Sequence, residues 1–310
     1  MMWATVSGCG PHCLRDDEVR PAGRVRRAAR LGAMLGVLLG AAALLPALPL
    51  LPHAWRAGAV RGCARATLRA LGVRWSVRGR LPAHRALVVA NHVSWLDIVV
   101  ILAAGRSRLV AKSEVRDWPL IGRIAACTGG IFLDRSRPRA LPSTVGVVRD
   151  ALAAGGVVAV FPEGTTSCGE GAGGFRPAFF QAAVDAGVAV VPLRLSFRAR
   201  EVPTAQPSFI GDDTLLDSLG RVLAMRDLSI RLSVGTAIHP GPAASRRTLA
   251  RIAGTAVGCA PPPARQPLAP IVALPVASLA SVASPASVAS PASVASLASV
   301  ASPASLERAA

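Results

Sequence analysis

Short runs of β-branched and other apolar residues alternate with longer Ala/Leu-rich stretches through the middle of the chain. The runs at 86–90 (ALVVA), 157–161 (VVAVF), 188–195 (VAVVPLRL) and 229–235 (SIRLSVG) read as strands. The stretches at 94–104, 142–154, 177–186 and 214–225 read as helices. Alternation of this kind predicts an α/β domain over 73–258, with a mixed, largely parallel sheet flanked by helices.

Two regions break the rhythm. Residues 31–52, LGAMLGVLLGAAALLPALPLLP, carry no charge. As one helix they would reach about 33 Å, against a bilayer core of about 30 Å. Pro46, Pro49 and Pro52 oppose continuity, and a helix ending at Leu45 would reach only about 22 Å. Arg24, Arg26, Arg27 and Arg30 precede the segment, and Arg56, Arg61, Arg65 and Arg69 follow it. The positive-inside tendency therefore draws both ends to the cytoplasmic face of the cell membrane. A re-entrant or interfacial anchor is expected over 31–72 in preference to a simple span, with 54–71 a basic helix lying on anionic headgroups. A helical hairpin packed on the globular domain is the alternative. Residues 1–30, polar and arginine-rich, read as a disordered leader. After Cys259 the chain settles into a six-residue repeat, SVASPA, beginning at Ser281, Ser287, Ser293 (with Leu for Pro) and Ser299. Ala, Ser and Pro bury too little surface to offset chain entropy, so 259–310 reads as a disordered tail.

Composition changes this picture only in part. The 310 residues carry a net charge of +18 and are 52% hydrophobic, a fraction inflated by alanine. The basic residues are arginines except for Lys112, a pattern that a genome-wide codon bias also produces. The excess favours anionic partners, an acidic membrane surface or a phosphorylated substrate among them. A nucleic-acid-binding protein is disfavoured: the arginines are dispersed, aromatics make up 4% and no binding motif is present. The six cysteines are too sparse for a disulfide framework and suit a reducing compartment. Cys9-Gly-Pro-His12-Cys13 has no second ligand pair, so no metal is expected.

The chemistry concentrates in Asn91-His92-Val93-Ser94-Trp95-Leu96-Asp97, which leaves an apolar strand and enters a helix. Ser94 and Asp97 have capping-box spacing, with Asp in place of the usual Glu. His92 then lies just before the helix and Asp97 in its first turn, where the chain can fold His92 back over the carboxylate. A carboxylate on one ring nitrogen fixes the tautomer and frees the other to take a proton. A strand-end histidine beside an ordinary capping aspartate would share this spacing, so the pair alone decides little.

Other blocks accompany it. Phe161-Pro162-Glu163-Gly164-Thr165-Thr166-Ser167 follows the strand at 157; Gly129-Gly130-Ile131-Phe132-Leu133-Asp134-Arg135 ends another apolar stretch; Val190-Val191-Pro192-Leu193 comes later. In this order and spacing, residues 75–257 resemble the glycerophospholipid acyltransferases, typified by bacterial 1-acylglycerol-3-phosphate acyltransferases. Lys112-Ser113-Glu114, with Pro119 and Gly122, is similar to the segment that family places between its first two blocks.

The resemblance implies the glycerolipid acyltransferase fold and transfer of a fatty acyl group to a lysophospholipid-type hydroxyl. It implies His92 as general base and Asp97 as its partner. It implies Arg135, Glu163, Gly164, Thr165, Lys112 and Arg176 on the substrate, and Val191 and Pro192 in acyl-chain or fold packing. No cofactor or metal is implied: acyl-CoA or acyl-carrier protein serves as co-substrate, and membrane lipids are the partners. One position departs. Thr166 stands where the family often has arginine, which removes a bidentate phosphate partner. The acceptor of first choice is 1-acylglycerol-3-phosphate, and the departure opens other lysolipids, lyso-ornithine lipid included. A hydrolase using Ser94, Ser167 or Cys168 is disfavoured because none sits in a Gly-x-Ser-x-Gly elbow.

Overall fold

A computed structural model describes residues 9–14, 21–134, 136–169, 173–211, 213–241 and 244–259. Residues 1–8 and 15–20 of the expected leader and 260–310 of the expected tail lie outside these residues, as does Arg135; Cys259, expected to open the tail, is instead buried in the core.

In chain order the elements are α1 (Arg24–Leu44), α2 (His53–Ala70), β1 (Arg74–Arg78), β2 (Ala86–Ala90), α3 (Trp95–Ala104), β3 (Arg108–Lys112), α4 (Ile121–Cys127), β4 (Ile131–Leu133), α5 (Leu141–Ala153), β5 (Val157–Val160), α6 (Phe180–Asp185), β6 (Ala189–Ala199), β7 (Val202–Pro203), α7 (Leu215–Ala224), β8 (Leu228–Val234) and α8 (Arg246–Val257). The sheet runs β1-β8-β6-β2-β5-β3-β4, with β7 paired to β6. Strands β6, β2, β5, β3 and β4 are mutually parallel, while β8 pairs antiparallel with β6 and parallel with β1. The sheet is therefore mixed and largely parallel.

Strands β2 and β5 are buried throughout, as parallel strands covered on both faces must be. Their side chains alternate between two cores. Ala86, Val88, Ala90, Val157 and Ala159 face a cluster with Ala64 and Leu68 of α2, Leu96 and Val100 of α3, and Val222 of α7. Leu87, Val89, Val158 and Val160 face a second cluster with Val148 and Leu152 of α5, Phe180 of α6, and Leu249 and Ala253 of α8. Each fully buried leucine contributes about 1.5–3 kcal/mol.

β6 runs four residues beyond the expected end because it changes partner. Residues 189–193 pair with β2, and 193–199 pair with β8. Pro192, which lacks an N–H, sits beside that handover. Helix α6 is shorter than the expected 177–186 segment, beginning at Phe180. The loop before α4 explains Gly122: a Cβ there would stand 2.2 Å from the Arg116 carbonyl oxygen.

The N-terminal segment is a hairpin of α1 and α2, joined through a turn over 45–52. α1 starts at Arg24, inside the expected leader. It is the one helix among the described residues long and apolar enough to cross a membrane, and 6% of its apolar window is buried. α2 was expected to lie along headgroups. Instead Val60, Ala64 and Leu68 bury one face in the domain, and Arg65 Nε donates to the Ala103 carbonyl of α3 at 3.0 Å. The hairpin alternative therefore describes α2, while α1 leaves Leu31, Leu35, Leu39 and Leu44 exposed. At its base the Arg30 guanidinium donates to the carbonyls of Leu223 and Met225, at 3.1 and 2.6 Å.

Candidate active site

Strands β2, β5, β3 and β4 all point their C-terminal ends to one sheet edge, the edge at which open α/β sheets bind ligands. His92 leaves the central strand β2 there, and Glu163 leaves its neighbour β5.

Ser94 caps α3: its side chain accepts from the helix's first amides, and the Asp97 carboxylate reaches back, completing the capping box. Asp97 Oδ2 accepts from the Val93 and Ser94 amides at 2.7 and 2.8 Å. The same oxygen lies 2.9 Å from His92 Nδ1. Asp97 is fully buried, whereas the His92 side chain remains 19% exposed. An acceptor-only carboxylate at Nδ1 assigns the ring proton to Nδ1, leaving the Nε2 lone pair to act as a base.

Side chains and amides from distant segments fix the imidazole. Phe161 stacks on it, with ring centroids 4.0 Å apart and planes 18° from parallel. The His92 N–H donates to Glu163 Oε1 at 2.8 Å, and the His92 carbonyl accepts from the Ser167 amide at 2.9 Å. Asn91 clamps the end of β2 to β6: its Nδ2 donates to the Leu195 carbonyl at 3.0 Å and its Oδ1 accepts from the Leu195 amide at 2.8 Å. Neither Phe161 nor Asn91 was among the expected site residues. Both belong to the quoted motifs, but spacing alone gives no sign of a ring stack or an inter-strand clamp.

Glu163 sits in a turn built by Pro162, closed by Gly164 N–H to the Phe161 carbonyl at 3.1 Å. Gly164 itself is left-handed, at φ +79°. Burial pushes the Glu163 carboxyl above the usual range, and the His92 N–H and the Cys259 thiol partly offset that. The thiol donates to Glu163 Oε1 at 3.6 Å. Burial, with the adjacent Glu163, also drives the Cys259 thiol strongly upward, which keeps it protonated as a donor. Glu163 thus holds the backbone of His92, and Gly164 and Thr165 continue its loop. Thr166 Oγ1 donates to the Phe209 carbonyl, while the Phe209 amide donates to the Val93 carbonyl at 2.9 Å.

Of the expected cations, Lys112 ends β3 and is exposed at the same sheet edge. Arg176 is exposed, its amide donating to the Pro162 carbonyl at 3.0 Å. Among the alternative nucleophiles, Ser94 is fully buried in the helix cap and Ser167 is buried against His92.

A buried carboxylate, an imidazole held by it through Nδ1 yet partly exposed, and exposed cations at Lys112 and Arg176 suit proton removal from an alcohol beside a charged lipid. Residues 73–196 match the Acyltransferase family model. The chain is 37% identical over 237 residues to the lyso-ornithine lipid O-acyltransferase of Pseudomonas aeruginosa, covering 74% of this chain and 90% of that protein. It belongs to the acyltransferase family. It is also 37% identical over 171 residues to the 1-acyl-sn-glycerol-3-phosphate acyltransferase of Neisseria meningitidis, covering 54% and 67% of the two chains. The crystal structure of the 1-acyl-sn-glycerophosphate acyltransferase PlsC of Thermotoga maritima has the same fold. It aligns with a TM-score of 0.57 at 20% identity, over 75% of this chain and 94% of that one.

Proposed function

We propose that this acyltransferase moves a fatty acyl group from acyl-CoA or acyl-carrier protein to a lysolipid hydroxyl at the cytoplasmic face of the membrane, with lyso-ornithine lipid as the acceptor. The observation that carries the reaction is the His92–Asp97 pair at 2.9 Å. Nε2 takes the proton of the acceptor hydroxyl, and the oxygen attacks the thioester carbonyl. The tetrahedral intermediate then expels the thiolate, which recovers the proton from His92. Asp97 stabilises the imidazolium between the two transfers.

Thr166 supports the choice of acceptor. Where a guanidinium would grip a phosphate, a short hydroxyl is turned onto the Phe209 carbonyl. An ornithine head group presents an ammonium and a single carboxylate in place of a phosphate, so it demands less of such a grip. The Pseudomonas relative, aligned over 90% of its length, is named for that acceptor. A second reading, 1-acylglycerol-3-phosphate, rests on the Neisseria relative and on Lys112, Arg135 and Arg176 as remaining phosphate partners.

Purified enzyme in vesicles, given labelled acyl-CoA and each acceptor in turn, should acylate lyso-ornithine lipid with the higher kcat/KM. Thr166→Arg should raise the kcat/KM for 1-acylglycerol-3-phosphate by roughly 10-fold or more, the worth of one charge-assisted pair. A wild-type preference for the phosphate acceptor would reverse the assignment and leave acyl transfer standing.

A further inference from the structure

The fold gives Cys9-Gly-Pro-His-Cys13 the partner that the sequence alone withholds. The sulfurs of Cys9, Cys13 and Cys168 all lie within 4.8 Å of one another, and all three residues are half-buried. A 3-10 turn over Pro11–Cys13, with Cys13 N–H donating to the Gly10 carbonyl at 2.9 Å, brings the first two together. The third comes from the loop that follows Glu163 and Gly164. Its amide donates to Cys9 Sγ at 3.3 Å. Amide donors of this kind stabilise thiolate character and orient a sulfur ligand.

The packing around the cluster is specific. Pro11 Cδ stands 4.0 Å from where a Cβ would project from Gly211. The turn therefore lies against both the 164–169 loop and the 208–211 loop. Those loops hold the backbone of His92 and Val93 through the Ser167 and Phe209 amides.

We propose that Cys9, Cys13 and Cys168 bind a thiophilic divalent cation, zinc in the first instance, that pins the N-terminal turn onto the loops supporting His92. Tetrahedral zinc with Zn–S bonds of about 2.3 Å sets neighbouring sulfurs roughly 3.8 Å apart, so the cluster needs only small side-chain adjustments. Three thiolates are soft donors that suit zinc over magnesium or calcium. A single disulfide would use two of the sulfurs and leave the third unexplained. The fourth position falls to water or to a residue beyond the cluster, since His12 is exposed. The site takes no part in the acyl-transfer steps and stands whichever lysolipid is the acceptor.

The test uses the full chain, purified without a histidine tag in detergent and reductant, loaded with Zn²⁺ and desalted. Mass-spectrometric metal analysis should find about one zinc per chain. Cys9→Ser, Cys13→Ser and Cys168→Ser should each lower that occupancy at least 10-fold, with circular dichroism confirming the fold. The Cys63→Ser/Cys127→Ser double variant should retain it. Cobalt loaded into the wild type should show a thiolate-to-metal charge-transfer band that Cys168→Ser lacks. Wild-type protein without zinc, cobalt spectra without sulfur ligation, or a disulfide within the trio in reductant-free protein would each overturn the proposal.

Discussion

Five residues apart on one straight helix, His92 and Asp97 would point about 140° away from each other. They meet because His92 precedes the cap and Asp97 lies in the first turn, so a capping carboxylate becomes the partner of an imidazole. That much was legible in the spacing of Ser94 and Asp97. The stack of Phe161 and the brace of Glu163 were not, because both depend on β5 lying next to β2. His92→Ala should lower turnover about 10²–10⁴-fold with little change in melting temperature, and near-wild-type turnover in folded protein would refute the base assignment. Glu163 makes a pH prediction. A carboxyl raised in the folded state holds its proton to higher pH than in the unfolded chain. Stability therefore falls as pH climbs from the unfolded value, about 4.3, through the folded one. Glu163→Gln keeps an acceptor for the His92 amide and removes the buried charge. Its melting temperature relative to wild type should be more favourable at neutral pH than near pH 4. Equal offsets at both pH values would contradict the shift.

Among the elements, the central strands and the helices α3, α5 and α7 were readable from apolar runs and caps. The edges were not. β1 is largely exposed and reads as RWSVR, with no continuous apolar run, and β3 is only half-buried. Such strands take their form from a neighbour's hydrogen bonds and leave little trace in composition. The sequence offered both an anchor and a packed hairpin for this segment and could not choose between them for α2, since the burial of Val60, Ala64 and Leu68 follows from α3. Its exposed side carries Leu39 at 71%, Leu50 at 86% and Trp55 at 70% exposure. An apolar surface of this kind beside arginines fits an anionic bilayer. Leu39→Glu with Trp55→Glu should weaken sedimentation with anionic vesicles at least 10-fold while soluble, detergent-presented substrate is still turned over. Unchanged vesicle binding would show that the hairpin is not the contact.

For the whole molecule, the site lies at the C-terminal edge of the central strands, held by contacts between distant parts of the chain. Asn91 is the clearest case, joining β2 to Leu195 of β6 by paired bonds. Asn91→Ala would leave a buried N–H and C=O without those partners, at about 1–3 kcal/mol for each. The melting temperature should drop by several degrees, and kcat should fall further than KM changes, because β2 aims His92. A variant as stable as wild type would show that β6 is held by the sheet alone. Alternation of strands and helices predicted this class of fold; the order β1-β8-β6-β2-β5-β3-β4 needed the pairing itself.

The grip of Arg30 on Leu223 and Met225 spans 193 and 195 residues of chain. The hairpin ends at Ala70, so at about 5–20 residues per second it is complete roughly 8–30 s before its dock is synthesised. β1 waits as long for β8. The apolar flank of α1 is thus on offer to a bilayer while the catalytic sheet is still being made, and the last strands close around a helix pair already in place. The order of synthesis delivers the hairpin first and the strands that complete the sheet last.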